Sequence, residues 1–453
     1  MRKNLVVDCA AAALITALAG VAAIAQPQQV VTAPKAVYWV SADTQAGLMA
    51  MGMASMGQRM SATPPTQVRT LKLELGSTLA PTTGAAGAAH DIPAGLQMGR
   101  ALDLRTPTRG QVPVERDPAT PDTTNIKGRL LLFWGCGEHA GPGQPLVVDF
   151  AGLRQGQMPA GLTGTGMNLQ LERGPSVDRS RTFGEWPNSD ANPMRRGSTA
   201  VPANGSLVGD HFIHGNYSPD IHFALGADRD FMAGVQMTQT KAPGGAVALR
   251  WAAVPNATGY FASVMGGMQG PGDAGGDMVM WSSSARKMFG GPANGYLSPG
   301  DAARLVGEHV VLAPATTTCT VPAEVSAAAP QAAMMVFNAF GPESNFAYPP
   351  RPADVRTPWN QEWVAKVRFK SGLMTMLGMN GMNMAAMGGA TPEQQAEMQR
   401  AQCEQARAQR GGMGGAIGSA TGIPGAGMVG GAMGRAFGHK QKEQPADPNC
   451  PAQ

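Results

Sequence analysis

The sequence predicts a mainly β protein, and two observations carry that reading. Hydrophobic and polar residues alternate with a period of two in several short segments, the pattern of a strand with one face buried. Glycine and proline punctuate the chain densely, with 60 and 36 of them among 453 residues, which suits short strands joined by turns better than long helices. A hydrophobic content of 43% is enough to fill the cores of two or more ordinary domains.

The N-terminus fixes the expected compartment. Arg2 and Lys3 precede an apolar run from Ala10 to Ile24 that closes on Ala23-Ile24-Ala25, the charged, apolar and small-residue order of a secretory leader. Cleavage is expected after Ala25, leaving Gln26 as the new N-terminus. The run is shorter than the about 20 residues a bilayer-spanning helix needs. A formal net charge of +4 over this length, without a dense Lys/Arg run or interleaved aromatics, argues against nucleic-acid binding. Beyond the leader stand Cys136, Cys319, Cys403 and Cys450. An even set in an oxidising compartment permits disulfides, and the sequence leaves all three pairings open.

Residues 33–240 are expected to form a β-rich, sandwich-like domain. In Val68 to Leu75 the leucines fall on one face while Lys72 and Glu74 fall on the other, and Met167 to Glu172 repeats the pattern. Shorter apolar runs at Ala36 to Val40, Arg129 to Cys136 and Leu146 to Phe150 read as central strands. Further strands are expected at Leu207 to His214, Ile221 to Leu225 and Phe231 to Met237.

Past residue 245 the pattern becomes more specific. Leu249-Arg250-Trp251, followed by Val254-Pro255-Asn256-Ala257-Thr258-Gly259-Tyr260, resembles the second and third strands of a fibronectin type III or related immunoglobulin-like domain. Met335 to Gly341 resembles a late strand and turn of the same module. The resemblance implies an immunoglobulin-like β-sandwich over residues 245–350 with Trp251 in its core. It implies no particular activity, because this fold hosts many.

Residues 351–390 are expected to hold one more strand, Trp363 to Lys370, and a Met/Gly-rich linker. Thr391-Pro392-Glu393-Gln394 is a helix-start signature, with a capping threonine, a first-turn proline and a capping-box glutamine. It predicts an exposed helix over 391–410. A helical and low-complexity C-terminal tail completes the chain, Gly-rich over 411–453, with glycines four apart at 414, 418 and 422 and at 430, 434 and 438. The spacing resembles a glycine zipper and makes 411–440 the segment expected to self-associate or touch a membrane.

Three groups hold side chains that can do chemistry. Cys136, Glu138 and His139 place a thiol, a carboxylate and an imidazole within four residues, the raw material of a nucleophile and its base. His211, His214 and His222 lie near Asp210 and Asp220, but residues three apart on a strand point to opposite faces, so His211 and His214 need a bulge to share a metal. Methionine is abundant, 29 in all, and clustered. Met49, Met51, Met53 and Met56 form one group, and Met374, Met376, Met379, Met382, Met384 and Met387 another. Thioether sulfur is a soft ligand suited to copper(I), and it is equally an adaptable apolar filler.

No Gly-x-Ser-x-Gly elbow and no phosphate-binding loop occurs. The expectation is therefore a non-catalytic, exported cell-envelope protein, without a resident cofactor, that binds an envelope protein or surface polymer. A copper(I)-handling protein and a Cys/His enzyme are the alternatives.

Overall fold

The computed structural model describes residues 29–48, 50, 67–106, 128–149, 174–175, 181–186, 199–267, 276–288, 291–292, 295–330 and 333–378. In chain order the first strands are β1 (Val31–Thr32), β2 (Ala36–Gly47), β3 (Gln67–Ser77), β4 (Gly87–Asp91), β5 (Ala101–Arg105), β6 (Arg129–Trp134), β7 (Leu146–Asp149), β8 (Thr182–Trp186), β9 (Thr199–Val201), β10 (Gly209–Gly215) and β11 (Ile221–Leu225). Then come β12 (Met237–Lys241), β13 (Val247–Trp251), β14 (Gly259–Gly267), β15 (Met278–Ser282), helix α1 (Pro299–Gly307), β16 (Thr318–Val321), helix α2 (Ala323–Ala328), β17 (Ala333–Tyr348), β18 (Trp359–Asn360) and β19 (Trp363–Met376). The chain is mainly β.

One continuous sheet runs in the order β11-β10-β4-β5-β8-β3-β2-β19-β17-β14-β15-β6-β7, with β9 also paired to β3. Strands from both expected segments share it. β2 pairs in parallel with β19, from Ala36 opposite Trp363 to Gly47 opposite Met374. β1 and β18 make a separate parallel pair, and β12-β13-β16 form a second sheet of three strands.

The small sheet faces β14 and β17 across an aromatic core. Trp251 on β13 packs 4.8 Å from Phe337 on β17 and 5.6 Å from Tyr260 on β14, ring centre to ring centre. All three are buried. Asn256 takes a left-handed conformation with φ 63° in the turn between β13 and β14. That turn returns the chain so that the Val254 amide donates to the Tyr260 hydroxyl at 3.0 Å.

The other end of the long sheet curls on itself. Phe223 on edge strand β11 stacks 4.8 Å from Phe346 on β17, although seven strands separate β11 from β17 along the sheet path. β17 and β19 are long enough to serve both enclosures. The half of β17 from Ala333 to Phe340 pairs with β14 beneath the small sheet, and the half beyond an irregularity between Phe340 and Glu343 lies against the curled end.

Most expected strands are present with shifted ends, and the differences have local causes. The run Phe231 to Met237 is not a strand; only its last residue opens β12. Phe231, Met232 and Val235 are nevertheless buried. Their segment is held by Asp230, which accepts from the Phe231 and Leu207 amides, and by the Thr44 hydroxyl, which donates to the Met232 carbonyl. β19 runs on past Lys370 to Met376, and β2 past Val40 to Gly47. Helix α1 is not among the expected elements, although Ser298-Pro299-Gly300-Asp301 announces it. The Ser298 hydroxyl accepts from the Asp301 amide at 3.0 Å and donates to its carboxylate at 2.8 Å. Its Ala302 and Leu305 cover Phe261 and Phe340 on the outer face of the long sheet. Met167 to Glu172, the helix over 391–410 and the glycine-rich tail lie outside the described residues. Among the described residues no helix is long and apolar enough to cross a membrane.

Candidate functional site

Cys136 follows β6, where Gly135 turns the chain at φ 90°. It is bonded to Cys319 on β16. The disulfide ties a strand end of the long sheet to the small sheet, and the Gly137 amide donating to the Thr320 carbonyl at 2.9 Å runs alongside it. A disulfide sulfur offers no thiolate, so in the oxidised protein Cys136 is not a nucleophile. His139 pairs with Glu324 in the first turn of α2 at 3.0 Å, and both side chains are well exposed. The Ala140 amide donates to the same carboxylate and, with His139, holds Glu324 below the usual carboxyl range.

The histidines divide as their spacing requires. His214 and His222 lie on the outer face of β10 and β11, on either side of the Phe212 ring. Each sits beside its own carboxylate, His214 3.5 Å from Asp91 and His222 3.8 Å from Asp210. No three His, Cys, Asp or Glu side chains converge as metal ligands among the described residues. His211 points the other way and is fully buried.

Its partner is His90, which sequence reasoning missed. His90 sits on β4, a five-residue strand reading Gly-Ala-Ala-His-Asp, where no alternation marks it. A hydrogen-bonded line crosses the curled enclosure. The Tyr38 hydroxyl lies 2.9 Å from His90 Nδ1, His90 Nε2 3.0 Å from His211 Nδ1, and His211 Nε2 2.7 Å from the Leu207 carbonyl. The carbonyl can only accept, so His211 Nε2 carries a hydrogen and, in the neutral ring, Nδ1 accepts. His90 therefore donates through Nε2 and accepts the Tyr38 proton at Nδ1. Burial pushes both histidines below their ordinary range and pushes the Tyr38 phenol far above its own. All three groups are thus held neutral. The line is a structural staple: Phe223 stacks on His211 at 4.9 Å and closes one end against β11.

The outer face of β2 and β19 carries a row of charged side chains. Lys366, Arg368 and Lys370 follow one another on that face of β19, with Trp39, Ser41 and Asp43 opposite them on β2. The Arg368 guanidinium is sandwiched between Trp39 at 4.6 Å and Tyr296 at 4.1 Å, and its Nε donates to the Ser41 hydroxyl at 2.7 Å. Tyr296 donates to Asp43 at 2.6 Å, and burial followed by that carboxylate raises its phenol. Alternation alone marks Arg368 and Lys370 as solvent-facing. Both are only 6% exposed, because the chain around Tyr296 folds over them. Glu74 is buried for a similar reason, with Gly174 against its carboxylate and Lys72 at 2.9 Å. An open recess of about 620 Å³ beside Ala88 and Arg105 touches none of these groups.

Of the methionines singled out by sequence, Met374 and Met376 lie half-buried on the outer face at the end of β19. Met49, Met51, Met53, Met56, Met379, Met382, Met384 and Met387 lie outside the described residues. No known protein family, curated protein or solved structure matches this chain.

Proposed function

We propose that the chain is an exported cell-envelope protein whose β-sandwich modules bind or assemble with another envelope component, without catalysis. The observation that carries this reading is the Cys136–Cys319 disulfide joining the two sheets. Such a bond persists in an oxidising compartment, the destination a secretory leader implies. It also occupies the one thiol that sequence placed beside a base.

The order of the strands supports a fibronectin type III-like module. A sheet of β12, β13 and β16 faces β15, β14, β17 and β19, with the core tryptophan on the second strand of the first sheet and the tyrosine opening the return strand. Among the described residues the long sheet ends in β11 and β7, whose open edges are the kind of surface through which strands add to a partner.

The test is fractionation of cells producing the full chain, with N-terminal sequencing and thiol alkylation before and after reduction. The reading expects an envelope protein that begins at Gln26, with Cys136 and Cys319 alkylated only after reduction. A cytoplasmic protein that retains Met1 and has both thiols reactive would overturn it.

A further inference from the structure

Strand register assembles a row of thioethers that the sequence scatters over more than a hundred residues. Met280 on β15 stands opposite Met265 on β14, Met265 opposite Met334 on β17, and Met334 opposite Met376 on β19. Directly paired residues project from the same face of a sheet. The four methionines therefore form one line across four neighbouring strands. Their chain neighbours Val264, Trp281 and Met335 point into the core, which places the line on the outer face. Met265 is 47% exposed and the other three are half-buried. Helix α1 covers this face farther along, over Phe261 and Phe340.

We propose that Met265, Met280, Met334 and Met376 form a site for a soft monovalent cation, copper(I) or silver(I). Opposed residues have Cβ atoms roughly 5 Å apart, and a methionine sulfur lies two bonds beyond its Cβ, so up to three sulfurs centred on Met265 or on Met334 can converge on one ion, while Met280 and Met376 at the two ends, about 15 Å apart, serve alternative sets. Thioethers without charge select soft monovalent metal over hard divalent cations, which favour oxygen ligands. Charge at the rim is already paired: Arg129 and Asp277 hold each other at 2.6 Å next to Met278. Met280 also packs against Leu130 and Val148, whereas Met265, at the middle of the row, is 47% exposed and has no such cover among the described residues.

β2 and β19 run in parallel and finish side by side, Gly47 opposite Met374. Their sequences then continue through Met49, Met51, Met53 and Met56 and through Met379, Met382, Met384 and Met387. The site itself needs only the four methionines held by the sheet.

The intact chain is titrated anaerobically with copper(I) against a chromophoric chelator, and with silver(I) as a redox-inert control. One variant carries Met265, Met280, Met334 and Met376 all replaced by leucine; a second carries leucine at the eight flanking positions. The expected result is one tight ion in the wild type and the flanking variant, weakened about ten-fold or more in the row variant. Melting curves check that the row variant folds. Met265→Leu alone, at an exposed position, serves if it does not, and is expected to weaken binding measurably. Equal binding by the row variant or by Met265→Leu, loss in the flanking variant only, or no tight ion in the wild type would overturn the proposal.

Discussion

His90 donates its Nε2 proton to Nδ1 of His211 across 3.0 Å of protein interior. Two histidines in contact are compatible only while at least one is neutral, and burial favours the neutral form of both, against the Leu207 carbonyl, whose bond to His211 favours the charged ring. In the unfolded chain each has an ordinary pKa near 6.5. Burial depresses both folded values, so below about pH 6.5 the unfolded state binds more protons than the folded one. Stability contributed by the neutral pair is complete above that pH and is lost as pH falls toward the depressed folded values. Denaturant titrations between pH 7.5 and 5 are expected to show a loss approaching about 1.4 kcal/mol per pH unit for each histidine. His90→Gln together with His211→Gln should flatten that slope, and an unchanged slope would mean that other groups cause the acid sensitivity.

Reduction should cost the protein substantial stability. Cys136 and Cys319 are 183 residues apart in sequence, and closing so long a loop removes considerable entropy from the unfolded chain. A loss of about 2–5 kcal/mol is expected on replacing both cysteines by serine, measured by denaturant unfolding without reductant. The wild type with reductant should match the double variant.

Alternation made β3 and β19 legible, and the Trp251 to Tyr260 segment announced its facing sheets. What stayed hidden was non-local. Nothing in Ala36 to Gly47 says that its partner is more than 300 residues away, because a strand's own pattern specifies its faces and leaves its neighbours open. His90 was invisible in a strand of small residues. Alternation along β19 sets Arg368 and Lys370 apart from the core-facing residues and would leave their face wet, whereas here a separate segment carrying Tyr296 covers it. The disulfide was one of several permitted pairings until the fold brought β6 and β16 together.

Trp251 contacts both Tyr260 and Phe337 and is 5% exposed. Trp251→Ala is expected to destabilise by about 3–5 kcal/mol through the cavity it leaves. Trp251→Phe, which retains an aromatic ring, should lose less. A loss below about 1 kcal/mol for the alanine variant would show that the small sheet contributes little to the cooperative core.

Arg368 separates the requirement for charge from the requirement for shape. Its planar group lies between two rings, and its Nε donates to Ser41. Lysine keeps the positive charge but has neither the flat face for stacking nor a donor at the Nε position. A desolvated cation–ring contact is worth about 2 kcal/mol, so Arg368→Lys is expected to destabilise by about 1–3 kcal/mol despite preserving net charge. Tyr296 lies outside regular secondary structure and reaches the sheet through Arg368, Asp43 and the nearby Lys370. Loosening the stack should therefore release that segment before the sheet beneath it. Hydrogen exchange is expected to quicken at residues 295–297 in Arg368→Lys, while β2 and β19 keep their protection, since their ladder bonds do not pass through the guanidinium. Equal acceleration in the segment and both strands would mean that Arg368 supports the sheet as a whole, and no acceleration at all would mean that α1 alone holds the segment in place.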